Sequence, residues 1–236
     1  MRLTARPAVR RLRRVSAPEP YVPIDTPVAV LSDVHGNARA LRAVLDELAR
    51  RGVGRIDVLG DHLVGGDAPL DTWKMLMDAR AKLARGLGDT ALASLVPEKL
   101  APETDDERAR AERFVRTRKE VGELVLRHLL ALPYALRVPL ADGRELLVSH
   151  GSPADPTVEI THDLDDEEML SLVASDPADI VATSGGHVSF VRDLGEIRVV
   201  GVGSVGDSPE RDHAHFVLIT PGYDGTVIEQ AHVEIG

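Results

Sequence analysis

The sequence predicts an α/β fold in which mixed β-sheets are covered by helices. Short apolar runs alternate with helical patterns through the first half of the chain. Hairpin signals follow in the later part, at Asp142-Gly143 and Asp224-Gly225. Alternating strands and helices are typical of parallel sheets, whereas hairpins join antiparallel strands. A purely parallel, doubly wound sheet is therefore not expected.

Each element has a local signal. Asn37 can cap a helix that ends at Gly52, another helix begins near Pro69, and an acidic start favours a long helix over 103–132. The expected strands include short apolar runs at 28–31, 55–59, 146–149 and 180–182, and later runs at 197–201, 214–220 and 226–234.

Composition limits the possible functions. With 236 residues, of which 43% are hydrophobic and 28% charged, the chain can form one large globular domain. It contains no cysteine, which excludes disulfides and thiolate-bound zinc and suits a cytoplasmic location. The net charge of −10 disfavours binding to a long nucleic-acid duplex or an anionic membrane. No apolar run reaches the roughly 20 residues that span a bilayer.

The first 24 residues differ from the rest of the chain. Six arginines precede the first acidic residue, Glu19, and prolines follow. Such a segment can resemble an organelle transit peptide, but a disordered tail is the preferred interpretation. We therefore expect residues 1–24 to lie outside the fold and residues 25–236 to form a single domain.

Potential metal ligands follow the carboxyl ends of four expected strands. They are Asp33, His35, Asp61, His150 and His187. In open α/β sheets this edge binds ligands. Strand ends also bring together residues that are far apart in sequence and hold them with little freedom, as a metal site requires.

Four segments that contain these residues resemble the calcineurin-like metallophosphoesterases, in particular the small bacterial and archaeal phosphodiesterases. They are Asp33-Val34-His35-Gly36-Asn37, Gly60-Asp61, His150-Gly151-Ser152-Pro153 and Gly203-Ser204-Val205-Gly206. An isolated Asp-x-His triplet is common by chance, but four segments in order over residues 27–220 are a specific match. The resemblance implies a four-layer α/β/β/α sandwich of two mixed sheets. It also implies a two-metal site that hydrolyses phosphate mono- or diesters.

The resemblance implies that the first metal position is complete. It is formed by Asp33, His35, Asp61 and His187. Imidazole and carboxylate ligands permit Mn, Fe or Zn, so one divalent ion is expected to bind firmly.

The second metal position is depleted. Asp61 and His150 match, and both are expected to act in catalysis, but Leu87 and Gly185 replace two ligands. Gly88 occupies the place of the usual proton-donating histidine. A second ion is therefore expected to be weak or absent. Leu87→Asn with Gly185→His is expected to rebuild the position, and Gly88→His is expected to restore the proton donor.

Two functional interpretations remain open. The preferred one is a metal-dependent phosphoesterase that cleaves phosphodiester, phosphomonoester or phosphoanhydride bonds in a small phosphorylated substrate. The alternative is a non-catalytic scaffold or phosphate-ligand-binding protein with the same fold. The retained His150 favours catalysis, whereas Leu87, Gly88 and Gly185 favour the alternative.

Other polar residues have weaker signals. Asp89 is included among the expected catalytic residues, as one that orients a ligand imidazole, and capping of a helix is the alternative. His62 follows Asp61 and is interpreted as structural, because successive strand side chains point to opposite faces. His213 and His215 have a spacing that can bind metal, but a solvated strand face is the preferred interpretation.

Overall fold

The computed structural model describes residues 22–235, so most of the tail predicted for residues 1–24 lies outside the described residues. The first of two sheets has the strand order β10-β9-β1-β2-β3. Its strands are β1 Val28–Leu31, β2 Arg55–Val58, β3 Lys82–Leu83, β9 His213–Thr220 and β10 Val227–Glu234. The first three strands run parallel, and β9 and β10 add an antiparallel hairpin at the side of β1.

The second sheet is also mixed, with the order β4-β5-β6-β8-β7. Its strands are β4 Ala135–Pro139, β5 Glu145–Ser149, β6 Ile180–Thr183, β7 Ser189–Leu194 and β8 Ile197–Val202. The inner three strands are parallel, and an antiparallel strand lies at each edge. Both predicted hairpins are therefore confirmed, at β4–β5 and at β9–β10.

Helices cover the outer faces of the two sheets. They are α1 Ala38–Arg50, α2 Pro69–Asp78, α3 Leu87–Ser94, α4 Asp105–Ala131 and α5 Asp166–Val173, with a 3₁₀ turn at Pro97–Lys99. The first four helices pack on the first sheet, and α5 packs on the second. None of these helices in residues 22–235 is long and apolar enough to cross a membrane.

A buried apolar layer between the sheets explains the four-layer arrangement. Val28 and Val30 of β1 point into this layer, whereas Ala29 and Leu31 point towards the helices. Successive strand side chains alternate between faces, so a strand buried on both sides is apolar throughout. The predicted α/β/β/α sandwich of two mixed sheets is confirmed.

Two details differ from the sequence expectations. The long helix predicted over 103–132 is interrupted at Gly122, whose φ of 74° and ψ of 170° are not helical. Thr104 and Glu107 form a capping box that fixes its start. The strand β7 and the helix α3 were not predicted, because β7 is a half-exposed edge strand and α3 has only eight residues.

Candidate metal centre

The carboxyl ends of β1, β2, β5 and β6 meet at one edge of the sandwich. Backbone hydrogen bonds tie the loops that follow these strands to one another. The His35 amide donates to the Asp61 carbonyl at 2.9 Å, and the Ser184 amide donates to the His150 carbonyl at 3.2 Å. The Gly206 amide donates to the Asp33 carbonyl at 2.8 Å. Loops from both sheets are therefore held in one rigid arrangement.

The backbone at this edge is strained. Five non-glycine residues in the described chain have positive φ, and four of them are Asp33, His35, Asp61 and His187. Side chains disfavour this left-handed region, and such conformations concentrate at functional sites. Four of the five predicted ligands are therefore held in a conformation that the surrounding hydrogen bonds impose.

Asp33, His35 and His187 form a compact group of three potential ligands. Asp33 Oδ1 lies 3.6 Å from His35 Nε2 and 3.3 Å from His187 Nε2, and the two nitrogens are 3.4 Å apart. Such separations are typical of atoms that share one ion at bond lengths of about 2.0–2.2 Å. Asp33 Oδ1 is buried and has no hydrogen-bond partner among the described residues. This group therefore fits a divalent ion.

Outer hydrogen bonds orient all three side chains. Asp33 Oδ2 accepts hydrogen bonds from the Ser32 and Ser184 hydroxyls, both at 2.6 Å. His35 Nδ1 lies 2.7 Å from the Val64 carbonyl, and His187 Nδ1 lies 2.9 Å from that of Asp207. A ring nitrogen that donates to a carbonyl leaves the other nitrogen free to bind metal. The free atoms here are the three that converge.

In the metal-free protein, the two imidazoles of this group bind protons more tightly than free imidazoles do. Burial opposes ionisation of Asp33, but the adjacent imidazoles of His187 and His35 outweigh it and hold the pKa of this carboxyl well below its usual range. Burial likewise opposes the charged form of His35, but the adjacent Asp33 carboxylate raises its pKa to about 9. The Asp33 carboxylate also raises the pKa of His187. A bound ion would therefore displace protons from this group.

Asp61 and His150 form a second group together with Asp33. His150 Nε2 lies 3.7 Å from Asp61 Oδ1, which also accepts a 2.7 Å hydrogen bond from the Gly88 amide. Burial raises the pKa of the Asp61 carboxyl. The family resemblance implies that Asp61 belongs to one four-residue set with Asp33, His35 and His187. In the structure, Asp33 is the residue common to both groups.

Asp89 lies behind this second group. Its carboxylate accepts hydrogen bonds from the backbone amides of Asp61, His62 and Gly86, at 2.9–3.1 Å. It also lies 2.7 Å from Nδ1 of His62, and both side chains are fully buried. Asp89 therefore caps α3 and orients the His62 imidazole, which belongs to neither ligand group. It positions Asp61 and does not line the centre, so its expected catalytic role becomes a positioning role.

Two of the three replaced positions, Gly88 and Gly185, are also short of space. A Cβ atom at Gly88 would lie 2.9 Å from Asp61 Oδ2, and one at Gly185 would lie 2.5 Å from the Val188 carbonyl oxygen. Gly185 also has a φ of 77°, which disfavours any side chain. Only Leu87, at the exposed start of α3, can be exchanged without a clash. The expectation of a rebuilt position is therefore revised, because a histidine at Gly185 would clash with the Val188 backbone and one at Gly88 would press on the Asp61 carboxylate.

A groove of about 640 Å³ opens beside His35. Its walls are apolar at Leu100 and Phe114, and Arg110 and Arg113 of α4 add positive charge. Their helical spacing carried no signal for a groove, because the groove forms only where the 3₁₀ turn and α4 pass the strand ends.

Comparison with known proteins agrees with this fold. Over 133 residues the chain is 28% identical to an uncharacterised protein of Methanocaldococcus jannaschii. That alignment covers 56% of this chain and 51% of the relative, so it spans about half of the relative's length.

Two solved structures share the fold. One is a hypothetical protein from Pyrococcus horikoshii OT3, with a TM-score of 0.74 and 22% identity over 88% of both chains. The other is a metallophosphoesterase from Sphaerobacter thermophilus, with a TM-score of 0.67 and 21% identity over 88% of this chain and 89% of that one. The sequence profile of the calcineurin-like phosphoesterase superfamily domain matches residues 27–222. The chain therefore belongs to the calcineurin-like phosphoesterase superfamily.

Proposed function

We propose that this protein is a metal-dependent phosphoesterase with one firmly held divalent ion and a weak or empty second position. The observation that carries the proposal is the convergence of Asp33 Oδ1, His35 Nε2 and His187 Nε2 at mutual separations of 3.3–3.6 Å. Every other polar atom of these three side chains has a partner elsewhere.

A divalent ion in this group would supply Lewis-acid polarisation of a phosphoryl oxygen and a more acidic water. Manganese, iron and zinc all suit the imidazole and carboxylate donors. His150, which is 5% exposed and lies beside Asp61, is positioned to donate a hydrogen bond to a phosphate oxygen. Asp61 keeps this imidazole at the edge of the centre.

The position of the usual proton donor is occupied by Gly88, which suggests a preference for substrates with good leaving groups. General acid catalysis typically contributes about 10²–10⁴-fold, and its absence is least costly when the leaving oxygen is already a weak base. We propose small activated phosphodiesters or phosphoanhydrides as the substrate class.

The groove beside His35 supports a substrate with an apolar group next to its phosphate. Phe114 and Leu100 would contact that group, and Arg113 would neutralise phosphate charge. Arg113→Gln should lower kcat/KM by about 10–100-fold, as expected for a lost charge-assisted hydrogen bond. Arg127→Gln, on the exposed side of the same helix, is the matched control and should leave kcat/KM unchanged.

The deciding experiment combines metal content with a substrate panel. Protein purified without chelator should contain about one ion per chain and should hydrolyse bis(p-nitrophenyl) phosphate. Activity should disappear with EDTA and return with Mn²⁺, Fe²⁺ or Zn²⁺. A chain that binds its ion but hydrolyses neither activated diesters, monoesters nor anhydrides would instead support the non-catalytic scaffold. The blocked positions at Gly88 and Gly185 are the observation that favours this second candidate.

A further inference from the structure

Three imidazoles meet at the margin of the first sheet, outside the candidate metal centre. His213 and His215 lie on β9, and His232 lies on β10 directly opposite His215. The ring centres are 4.7 Å apart for His213 and His232, 5.8 Å for His215 and His232, and 6.3 Å for His213 and His215. The strand register alone places all three on one face.

A carboxylate completes this cluster. Glu210 Oε2 lies 3.6 Å from His213 Nδ1 and 3.8 Å from His215 Nε2. The His213 amide donates to the Glu210 carbonyl at 2.8 Å, which fixes the turn that brings the carboxylate back over β9. Among residues 22–235, no lysine or arginine forms an ion pair with Glu210.

Glu210 lies at nearly the separation of a shared metal ion from two imidazoles, but no three of the four side chains bring their ligand atoms within 4.8 Å of one another. In a tetrahedral site with bond lengths of about 2.0–2.2 Å, ligand atoms lie roughly 3.3–3.5 Å apart and imidazole centres about 5 Å apart. The four side chains converge less tightly than Asp33, His35 and His187. The remaining differences are within reach of side-chain rotation, because His213 and Glu210 are partly exposed.

The surroundings of His215 resemble those of an oriented ligand. Its Nδ1 lies 3.4 Å from the Ser189 hydroxyl, which leaves Nε2 facing Glu210.

We propose that Glu210, His213, His215 and His232 form a separate binding site for a divalent transition-metal ion, best suited to Zn²⁺. Three imidazoles and one carboxylate are a donor set that zinc accepts in tetrahedral geometry. The site is independent of the proposed phosphoesterase activity. It also lies three residues beyond Asp207, whose carbonyl orients His187, so a bound ion would restrain the segment that supports the candidate centre.

The test uses Co²⁺ as a spectroscopic probe in the full chain carrying His187→Ala, which removes the first ion. We expect one Co²⁺ per chain with the intense visible absorption of a tetrahedral complex, displaced by Zn²⁺. Adding His213→Gln and His232→Gln should abolish the absorption and lower the affinity for the ion by at least about 100-fold. His162→Gln, at an exposed histidine outside the cluster, is the control and should change neither.

The proposal is overturned if the His187→Ala chain shows no tetrahedral Co²⁺ spectrum or if the spectrum survives the two further substitutions. Circular dichroism of each variant establishes that it is folded. Should the triple variant fail to fold, X-ray absorption of the zinc-loaded His187→Ala chain decides the question. Three imidazoles and one carboxylate around zinc support the site, and any other donor set rejects it.

Discussion

The candidate centre has two halves, the group of Asp33, His35 and His187 and the group of Asp33, Asp61 and His150. They share the Asp33 carboxylate but differ in the hydrogen bonds that surround their ligand atoms. Around His35 and His187, each ligand atom is free and each remaining polar atom has a partner. Around His150 and Asp61, one carboxylate oxygen is already bonded to the Gly88 amide, and buried His150 Nδ1 has no partner in the described chain. A metal position therefore depends as much on the outer hydrogen bonds as on the number of ligands.

The largest effect should come from the residue that the two halves share. Asp33→Asn removes the anionic ligand from both groups, so metal binding and metal-dependent hydrolysis should fall together. A loss of several kcal/mol of charge stabilisation corresponds to at least about 1000-fold in kcat/KM. Metal analysis and steady-state kinetics measure it, with exposed Asp46→Asn on α1 as the control. Retained activity in Asp33→Asn would show that the two halves do not depend on a common carboxylate.

The comparison predicts opposite results for the two histidines. His187→Ala should lose the firmly held ion, because the compact group of three then has only two ligands. His150→Ala should keep about one ion per chain but lose roughly 100-fold in kcat, as expected for a lost hydrogen bond to charge that develops in the transition state. Ion stoichiometry measured beside kcat separates the two. Equal loss of the ion in both variants would mean that the halves form one cooperative site.

Metal affinity at the half that contains His35 and His187 should depend on pH, because protons compete with the ion for His35. In the metal-free protein, the adjacent Asp33 carboxylate raises the pKa of His35 to about 9, so this imidazole carries a proton at neutral pH. Metal must displace that proton, and the apparent affinity should rise about tenfold for each pH unit up to about pH 9. Competition with a chelator of known affinity from pH 6.5 to 9.5 measures the slope.

The same raised pKa has a consequence for stability. The protonated His35 contributes to folding at pH values below the unfolded value of 6.5, and this contribution is lost as pH rises towards 9. The free energy of unfolding of the chelated protein should therefore decrease by up to about 3 kcal/mol over this interval. The metal-loaded protein should not follow this decrease. A flat profile in the chelated protein would contradict the ion pair between His35 and Asp33.

The smallest effect should come from repairing the depleted half. Leu87 is 37% exposed at the start of α3, so Leu87→Asn is tolerated and adds one neutral oxygen ligand near Asp61. Affinity for a second ion should rise on the order of tenfold, which calorimetric titration with Mn²⁺ can detect. Leu95→Asn, at the far end of the same helix, is the control. A fully occupied second position after this single change would show that space at Gly185 is not limiting.

Much of the fold followed from local signals. The apolar strands, the Asn37 cap, the acidic start of α4 and the two Asp-Gly turns are short-range features, and the structure confirms the elements that they predict. The edge strand β7 was missed because its burial comes from pairing with β8, which is invisible in its own residues. The break at Gly122 was likewise missed, since a single glycine is often tolerated within a helix.

The candidate centre was harder to predict beyond its residue types. The strand ends indicated which residues would meet, but the sharing of Asp33 by both groups depends on left-handed backbone at four residues. The lack of room at Gly88 depends on how closely α3 approaches Asp61. The histidine cluster needed the β9–β10 register and the return of Glu210, neither of which spacing within one strand reveals.

The hydrogen-bonded loops at the strand ends also determine how the ion would enter the candidate centre. Because Asp33 Oδ1 and the two Nε2 atoms are already in place, loading requires proton release rather than refolding. Exchange between metals should then be rapid and reversible compared with chain unfolding. The ion found in the purified protein is expected to reflect which metals the growth medium provides, with the Irving–Williams order setting the bias among them.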